Sequence, residues 1–315
     1  MPKLKGIKEK EINGIKVDKE NDDVFFNDEL HKYYDKNTMQ EYVSVTTLIH
    51  EYSQEFDGEF WASYKALEEL MDLETFLILK KGLLATKKFN PKILKKFQID
   101  ENEFAEAKKK ILEEYNRKRN ESCERGTAIH AQFENSMYDR TTFDFSNFGY
   151  ENLKGDFKCI KNHYKLDLKR GVYPEFLLSV ASKDGLLRVS GQIDLLIVDN
   201  EEITIIDYKS NKSIDKHSYF DKNKKRYQMM KYPLNNLEDC NWNHYQLQLS
   251  LYAYMLEQKN PKYHIKSLRI IHIDHDGKQH EYECEYLRDD VINMLKHYKK
   301  QLKLKQELAQ LEKVL

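Results

Sequence analysis

Two apolar segments separated by a short polar turn constrain the fold of this 315-residue chain more than any other feature. Residues 186–198 and 202–209 are rich in Val, Ile and Leu, and Asp199-Asn-Glu-Glu lies between them. Two such runs around a two-residue turn predict an antiparallel β-hairpin. If Asn200 and Glu201 form the turn, Asp199 pairs with Glu202 and the register of the whole hairpin is set.

This register places two carboxylates on one face of the hairpin. Asp194 lies opposite Asp207, with an expected Cβ separation of about 4.5–5.5 Å, and Lys209 follows on the same face because strand side chains alternate. Buried carboxylates repel, and a divalent cation with oxygen ligands would compensate them. With a lysine to hold or polarise a water molecule, these groups suit the hydrolysis of a phosphodiester. An ordinary hairpin, in which Asp194 pairs with Lys209 and Asp207 caps a strand end, is the alternative.

Three further segments contribute candidate site residues. His130 and Glu134 share one face of a predicted helix, because residues four apart are neighbours there; a buried histidine bonded to Glu134 is the alternative. Glu175 enters an apolar strand before the hairpin and is a candidate catalytic acid, or an edge-strand residue that faces water. Gln248 and Tyr252 share a face of a predicted helix and are candidates to contact a phosphate or orient the site, or plain surface polarity.

Composition narrows the class of protein. Hydrophobic residues make up 40% and charged residues 33% of the chain, which is typical of a hydrated globular protein. No apolar run approaches the ~20 residues of a membrane helix, and the N-terminus lacks a signal-peptide core. We therefore expect a cytoplasmic protein without a membrane partner. The four cysteines form no C-x-x-C pair, which favours reduced thiols over structural zinc.

Basic segments stand out against a net charge of −1. Residues 80–119 contain thirteen Lys or Arg and six Asp or Glu, and a second basic run covers 209–231. Within the latter, aromatic and basic side chains alternate, which suits the stacking of unpaired bases and the binding of phosphates. Its candidate DNA-binding residues are Lys224, Lys225, Arg226 and Tyr227. Lysine-rich helix faces exposed to water are the alternative.

The order of the predicted elements indicates an α/β protein with a central mixed sheet flanked by helices and an N-terminal helical lobe. We predict a flexible arm at 1–22, a β-hairpin and helical lobe at 23–121, a core at 122–286 and a C-terminal helix at 287–315. Within these regions we expect helix breaks near Gly82 and Asn90-Pro91, a loop at 141–150, and helices at 151–167 and 243–258.

Taken in order, the motifs resemble the RecB-like branch of the PD-(D/E)xK nucleases, which have a restriction-endonuclease-like core. The matching motifs are Gly126 with His130, Glu175, Gly191 with Asp194, Asp207-Tyr208-Lys209, and Gln248 with Tyr252. The resemblance implies that Mg²⁺ or Mn²⁺ is bound by His130, Asp194, Asp207 and the carbonyl of Tyr208. It also implies that Lys209 acts on the attacking water, with Gln248 and Tyr252 beside the scissile strand.

Within that branch, Val43-Ser-Val-Thr46 before a helical lobe is similar to the mitochondrial genome maintenance exonucleases and related phage enzymes. Some relatives carry an iron–sulfur cluster, but Cys123 is followed by no grouped cysteines, so none is expected here. No phosphate loop of the kind found in helicases occurs, so a separate helicase or recombination partner is possible. We expect a DNA exonuclease acting on single strands or DNA ends; an endonuclease in phage replication or defence, and a non-catalytic nucleic-acid-binding module, are the alternatives.

Overall fold

The predicted hairpin lies near the centre of a mixed β-sheet. The computed structural model describes residues 10–138, 157–160, 168–222 and 224–312. The described strands are β1 (Glu11–Ile12), β2 (Ile15–Lys16), β3 (Lys19–Glu20), β4 (Val24–Asn27), β5 (Lys32–Asp35), β6 (Glu41–Ser44), β7 (Gly171–Ala181), β8 (Arg188–Asp199), β9 (Glu202–Lys209), β10 (Phe220–Asp221), β11 (Arg226–Tyr227), β12 (His264–Ile273) and β13 (Gln279–Cys284). The described helices are α1 (Val45–His50), α2 (Gly58–Leu70), α3 (Leu73–Thr86), α4 (Lys92–Lys96), α5 (Glu101–Tyr138), α6 (Asn241–Lys259) and α7 (Arg288–Glu312).

Nine of these strands form the central sheet, in the order β13-β12-β9-β8-β6-β5-β4-β3, with β7 also paired to β8. Strand β12 runs parallel to β9, and β6 runs parallel to β8, whereas the other neighbours are antiparallel. The predicted α/β class with a central mixed sheet flanked by helices is confirmed.

The β8–β9 hairpin has the predicted register. Asp199 pairs with Glu202, and the ladder continues to Leu195 opposite Ile206. Asn200 in the turn has a φ of 60°, in the left-handed region that asparagine tolerates better than most residues. Both strands are mostly buried, which fits their near-continuous apolar sequence.

One edge of β8 is shared by two partners. Since β7 pairs along 188–198, β6 and β9 must both lie on the opposite edge. There β9 pairs with 195–199, and β6 pairs only with Val189 and Ser190. From Gly191 to Asp194 this edge has no ladder partner among the described strands. These four residues form a gap between the segment of β8 that pairs with β6 and the segment that pairs with β9. We call this gap the fork.

The N-terminal segment is not a loose arm where the structure describes it. In residues 10–22, β1 pairs with β2, and β3 joins the sheet through Lys19 opposite Phe26. Residues 1–9 lie outside the described part of the chain. The predicted arm is thus wrong for 10–22, because polar residues without periodicity can still complete an existing sheet edge.

The chain divides into two compact units, residues 1–54 with 129–315, and residues 55–128. This division differs from the predicted lobe at 23–121, because strands β4 to β6 belong to the central sheet. In the first unit, α6 is buried along most of its length and packs in the main core with residues of α1, β7, β8 and α7. Helix α6 extends the predicted helix at 243–258 by two residues at its start and one at its end.

The second unit contains α2 to α4 and the first part of α5. Asp57 and Asp72 accept hydrogen bonds from the backbone N–H groups of Phe60 and Thr75, which caps α2 and α3. Helix α3 continues through Gly82, so the predicted break there is wrong; the break at Pro91 lies between α3 and α4. A glycine in a helix interior costs only about 1 kcal/mol of stability. The buried side chains on one face of α3 supply packing that compensates for it.

Two predicted elements fall mainly outside the described residues. These are the loop at 141–150 and the helix at 151–167, of which only 157–160 is described. That short piece is extended rather than helical. Its Ile160 N–H donates to the Val172 carbonyl at 2.8 Å, and the Val172 N–H donates to the Lys158 carbonyl at 2.9 Å. It therefore runs beside β7.

Candidate active site

Asp194 stands at the mouth of the fork. The last pair of the β8–β9 ladder involves the next residue, Leu195, so Asp194 has no partner residue opposite it in that ladder. Its carboxylate contacts the backbone of β9 instead. The Tyr208 N–H donates to Asp194 Oδ2 at 2.7 Å. The Asp194 side chain is only 9% exposed. This contact fixes one carboxylate oxygen and leaves the other, Oδ1, free to face the neighbouring side chains.

His130 brings α5 to the same place. Its Nδ1 lies 3.4 Å from Asp194 Oδ1 and 3.8 Å from Glu175 Oε1, and its Nε2 lies 3.1 Å from the Tyr208 carbonyl oxygen. Burial disfavours a charged imidazole, but the Asp194 and Glu175 carboxylates outweigh it and raise the pKa of His130 to about 10. Beside these carboxylates the His130 imidazole is therefore positively charged at neutral pH.

Glu175 reaches the cluster from an unusual backbone conformation. Its neighbours Pro174 and Phe176 pair with Leu195 and Ile193, so the ladder brings Glu175 opposite Asp194. Glu175 has a φ of 49°, in the left-handed region. Such a conformation costs a non-glycine residue on the order of 1–3 kcal/mol and persists only where its surroundings hold it.

Asp207 and Lys209 form a buried ion pair on β9. Asp207 is 2% exposed, and its Oδ2 lies 2.5 Å from Lys209 Nζ. Gln248 connects the two: its Nε2 donates to Asp207 Oδ1 at 2.9 Å, and its Oε1 accepts from Lys209 Nζ at 3.1 Å. The Lys209 ammonium also lies 4.7 Å from the centre of the Tyr245 ring.

The pKa values of this pair are shifted in the same direction. Burial, together with Asp194, raises the pKa of Asp207 to about 6 although Lys209 opposes the shift. For Lys209, burial acts against the charge, but Asp207 and Asp194 outweigh it and raise the pKa. Lys209 is therefore an ammonium group at neutral pH. Asp207 is the member of the pair whose charged form burial makes less stable.

These donors fit a hard divalent cation. Ligand atoms of His130, Glu175 and Asp194 all lie within 4.8 Å of one another. Carboxylate oxygens and imidazole nitrogen suit Mg²⁺ or Mn²⁺. Asp207 is not in this trio, but its buried Oδ2 accepts no hydrogen bond of normal geometry from the described residues. That oxygen faces the Lys209 ammonium at 2.5 Å, so a cation that used it as a ligand would share it with Lys209.

Gln248 and Tyr252 lie behind the carboxylates rather than on a helix surface. They are 7% and 4% exposed. Burial raises the pKa of Tyr252 well above its usual value. The Tyr252 ring fits because residue 191 is glycine: a Cβ there would lie 2.8 Å from the Tyr252 Cε1 and hydroxyl and 3.1 Å from Val45 Cγ2. Surface polarity, the alternative interpretation of this pair, is wrong.

Glu134 lies one turn after His130 and lines a cavity that Glu175 also lines. It accepts a hydrogen bond from the Tyr138 hydroxyl at 2.9 Å. The cavity has a volume of about 480 Å³ and is lined by Glu134, Glu175, Lys19 and neighbouring residues of β3 and β7. An alternative bond between Glu134 and the ring of His130 is not among the described contacts of either residue.

The basic and aromatic segment forms a small hairpin. Strand β10 pairs with β11 through Phe220 opposite Tyr227. The Tyr227 ring stacks on His217 with centroids 5.0 Å apart, and its side is met by Phe220. The predicted contact residues of this hairpin are all exposed, namely Lys224, Lys225, Arg226 and Tyr227.

Sequence reasoning missed Lys19. Its Nζ lies 3.0 Å from Glu175 Oε2 and donates to Gln192 Oε1 at 2.8 Å. Lys19 belongs to the segment that was expected to be a loose arm, and no pattern around it signals a contact with β7 and β8. Gln192 lies inside the G-x-x-D segment, so its proximity to Asp194 was visible in the sequence.

Comparison with known proteins places this geometry in a family. The sequence model of the PD-(D/E)XK nuclease superfamily matches residues 38–314. Comparison with curated proteins gave no significant match. Among solved structures, a candidate exonuclease from Eubacterium rectale is 11% identical with a TM-score of 0.32, over 83% of this chain and 79% of that one. The protein SSO0001 is 14% identical with a TM-score of 0.29, over 82% and 84% of the two chains.

Both structures have TM-scores below 0.5, whereas the family model matches most of the chain. None of the described helices is long and apolar enough to cross a membrane. The chain belongs to the PD-(D/E)XK nuclease superfamily.

Proposed function

We propose that this protein is a Mg²⁺- or Mn²⁺-dependent DNA nuclease, and specifically an exonuclease that acts on single strands or DNA ends. One observation carries the proposal: the fork brings His130, Glu175 and Asp194 together beside a buried Asp207–Lys209 pair. A nuclease with this chemistry needs ligands for a cation and an adjacent positive group, and the fork provides both.

The cation would be held by His130, Asp194, Asp207 and the Tyr208 carbonyl, with Glu175 as a further acidic group. When bound, it supplies Lewis-acid stabilisation of the phosphate and a lowered pKa for water. The chain's own residues then do the rest. Asp194 is oriented by the Tyr208 N–H, and His130 must release its proton before its ring can act as a ligand.

Lys209 acts as a fixed cation rather than a base. Because its pKa is raised, it stays an ammonium group that can hold the attacking water and stabilise the charge that develops on the phosphate. Gln248 bonds both Lys209 and Asp207, so it holds the ammonium at a constant place. We propose that Gln248, with Tyr252 packed behind it, orients the site and does not touch the nucleic acid.

A preference for unpaired strands is supported by the β10–β11 hairpin. Tyr219 and Tyr232 are 61% and 70% exposed, on either side of the basic residues at 224–226. Exposed aromatic rings stack on unpaired bases, and lysine or arginine side chains bind the phosphates between them. An endonuclease would use the same chemistry and would differ from an exonuclease only in how the strand enters the site. A non-catalytic module would have no use for the complete set of cation ligands.

We further propose that the chain belongs to the RecB-like branch, near the mitochondrial genome maintenance and phage exonucleases, because its His, G-x-x-D, D-Y-K and Q-x-x-x-Y motifs occur in that order. A separate helicase or recombination protein would then open duplex substrates for it.

The test compares end-labelled linear and circular single-stranded DNA, with matched RNA, in Mg²⁺ or Mn²⁺. We expect release of nucleotides from the linear DNA strand and no cut in the circle. Asp194→Asn should slow cleavage by about 100-fold or more. Asp199→Asn is the matched control, since Asp199 lies on the same strand but pairs with Arg170 beside the turn.

The alternatives give different results. Cutting of the circle would assign an endonuclease. Strand binding without cleavage by the wild type, at any Mn²⁺ concentration, would assign a non-catalytic module. Cleavage by Asp194→Asn at the wild-type rate would show that the fork is not the active site.

A further inference from the structure

The ammonium group of Lys19 contacts oxygen atoms of two different side chains. It lies 3.0 Å from Glu175 Oε2 and 2.8 Å from Gln192 Oε1. The Gln192 amide nitrogen points to the Tyr33 hydroxyl at 3.5 Å, which directs the amide oxygen towards Lys19. Carboxylate and amide oxygens of this kind are also ligands that Mg²⁺, Mn²⁺ and Ca²⁺ accept.

Glu175 connects this place to the proposed cation site. Its Oε1 faces His130, whereas its Oε2 is taken by Lys19. In nuclease sites with two metal ions, the ions lie about 3.5–4 Å apart, a spacing that a single bridging carboxylate can span. The second oxygen of Glu175 is the ligand that such a bridge would use, and an ammonium group already neutralises it.

We infer that Lys19 is an internal substitute for a second metal ion and limits the site to one divalent cation per chain. Lys19 is a positioning residue: it holds Glu175 so that a single oxygen faces the cation. The inference rests on the proposed metal-dependent function, since it concerns the same site. An ion pair that only stabilised the fold would not affect the number of ions bound.

The surroundings of Lys19 make the exchange chemically reasonable. The Lys19 side chain is 36% exposed, so water and ions reach it, whereas the Glu175 side chain is 14% exposed. Removing the ammonium would leave the Glu175 and Gln192 oxygens without their donor. A hydrated divalent ion could then use both, with water completing its coordination.

The experiment counts Mn²⁺ ions per chain by isothermal titration calorimetry, without nucleic acid, in wild type, Lys19→Met and Lys19→Arg. The control is Lys32→Met, which removes an exposed lysine of β5 that lies 2.7 Å from Glu41 of β6. We expect one Mn²⁺ for wild type, Lys19→Arg and Lys32→Met, and two for Lys19→Met. Electron paramagnetic resonance should show coupled ions only in Lys19→Met.

Two ions in the wild type would overturn this inference while leaving the proposed function intact. One ion in a folded Lys19→Met variant would also overturn it. Lys19→Gln provides a second uncharged side chain if Lys19→Met does not fold. Failure of the wild type to bind any Mn²⁺ would overturn both this inference and the metal-dependent function, and a single ion with no cleavage would overturn the function alone.

Discussion

Replacing Asp207 with asparagine should stabilise the cation-free protein at neutral pH while removing nuclease activity. Asp207 is 2% exposed, and its burial raises the pKa to about 6, from 3.8 for an unperturbed aspartate. A folded state that resists ionisation in this way is weakened as soon as the unfolded chain can ionise. Asparagine has nearly the same shape and cannot ionise, so it escapes this cost.

The size of the effect follows from the pKa difference. Each pKa unit corresponds to about 1.36 kcal/mol, so a rise of about two units costs the folded protein up to ~3 kcal/mol. Below pH 3.8 the carboxyl group is protonated in both states and costs nothing. As pH rises, the unfolded chain loses its proton first, and the cost grows until the folded protein ionises near pH 6.

Lys209 reduces the gain, because it loses its closest counter-ion when Asp207 is neutral. Asp194 still favours its charge, so ~3 kcal/mol is the upper limit and we expect a smaller net gain at pH 7.5, because a buried charge that loses its partner is itself costly. The double variant Asp207→Asn/Lys209→Met removes both charges and should keep that gain, since neutral replacement of a buried ion pair is often stabilising.

Urea denaturation in EDTA at pH 4.5 and pH 7.5 measures these differences. The advantage of Asp207→Asn over wild type should be present at pH 7.5 and should shrink at pH 4.5. An equal difference at both pH values, or a variant that is less stable at pH 7.5 in single and double form, would refute the claim that Asp207 is costly to ionise.

Three more predictions concern other parts of the molecule. Gly191→Ala should lower the free energy of unfolding by about 1–3 kcal/mol in urea, because its Cβ would lie 2.8 Å from the Tyr252 ring; an unchanged midpoint would contradict the close packing. Apparent Mn²⁺ affinity should fall about tenfold per pH unit from pH 8 to pH 6, since His130 has a pKa of about 10 and must lose its proton; calorimetry of His130→Gln should show a flatter profile. Phe76→Ala should cost about 3–5 kcal/mol in the second unit, because Phe76 is 1% exposed, and hydrogen exchange should show faster opening of 55–128 with Mn²⁺ binding unchanged.

The hairpin of β8 and β9 could be predicted because its information is local. A two-residue turn between apolar runs fixes which residues pair, and Asp199 opposite Glu202 determines every later pair up to Leu195 and Ile206. The same local logic predicts α7, whose apolar positions repeat with helical spacing. Elements defined by neighbouring residues are therefore the part of this fold that the sequence specifies most directly.

Contacts between distant segments could not be predicted in this way. The parallel pairing of Val43 with Val189 determines where β6 leaves β8, and no turn or spacing encodes it. Lys19 reaches Glu175 only because β3 adds to the far side of β4 and β5. Such contacts depend on the packing of the whole sheet, which a single sequence without periodicity does not reveal.

The role of Gln248 shows how burial changes the interpretation of a motif. Its neighbours Leu247, Leu249 and Leu251 are fully buried, as is Ser250, so α6 has no wet face along this stretch. Polar groups on a helix that is apolar on most sides must find partners inside the protein. The leucine residues around Gln248 in the sequence therefore indicate that its side chain is buried and forms hydrogen bonds inside the protein.

The fork explains why two aspartates from one hairpin can have different chemical roles. Had the β8–β9 ladder continued one more pair, Asp194 and Asp207 would face each other in the closed sheet. Instead the ladder ends at Leu195, so Asp194 bonds the Tyr208 N–H and turns towards His130, whereas Asp207 stays with Lys209 and Gln248. Separation of the strands, rather than the D…D-x-K spacing alone, leaves one acid facing His130 and the other held against an ammonium group.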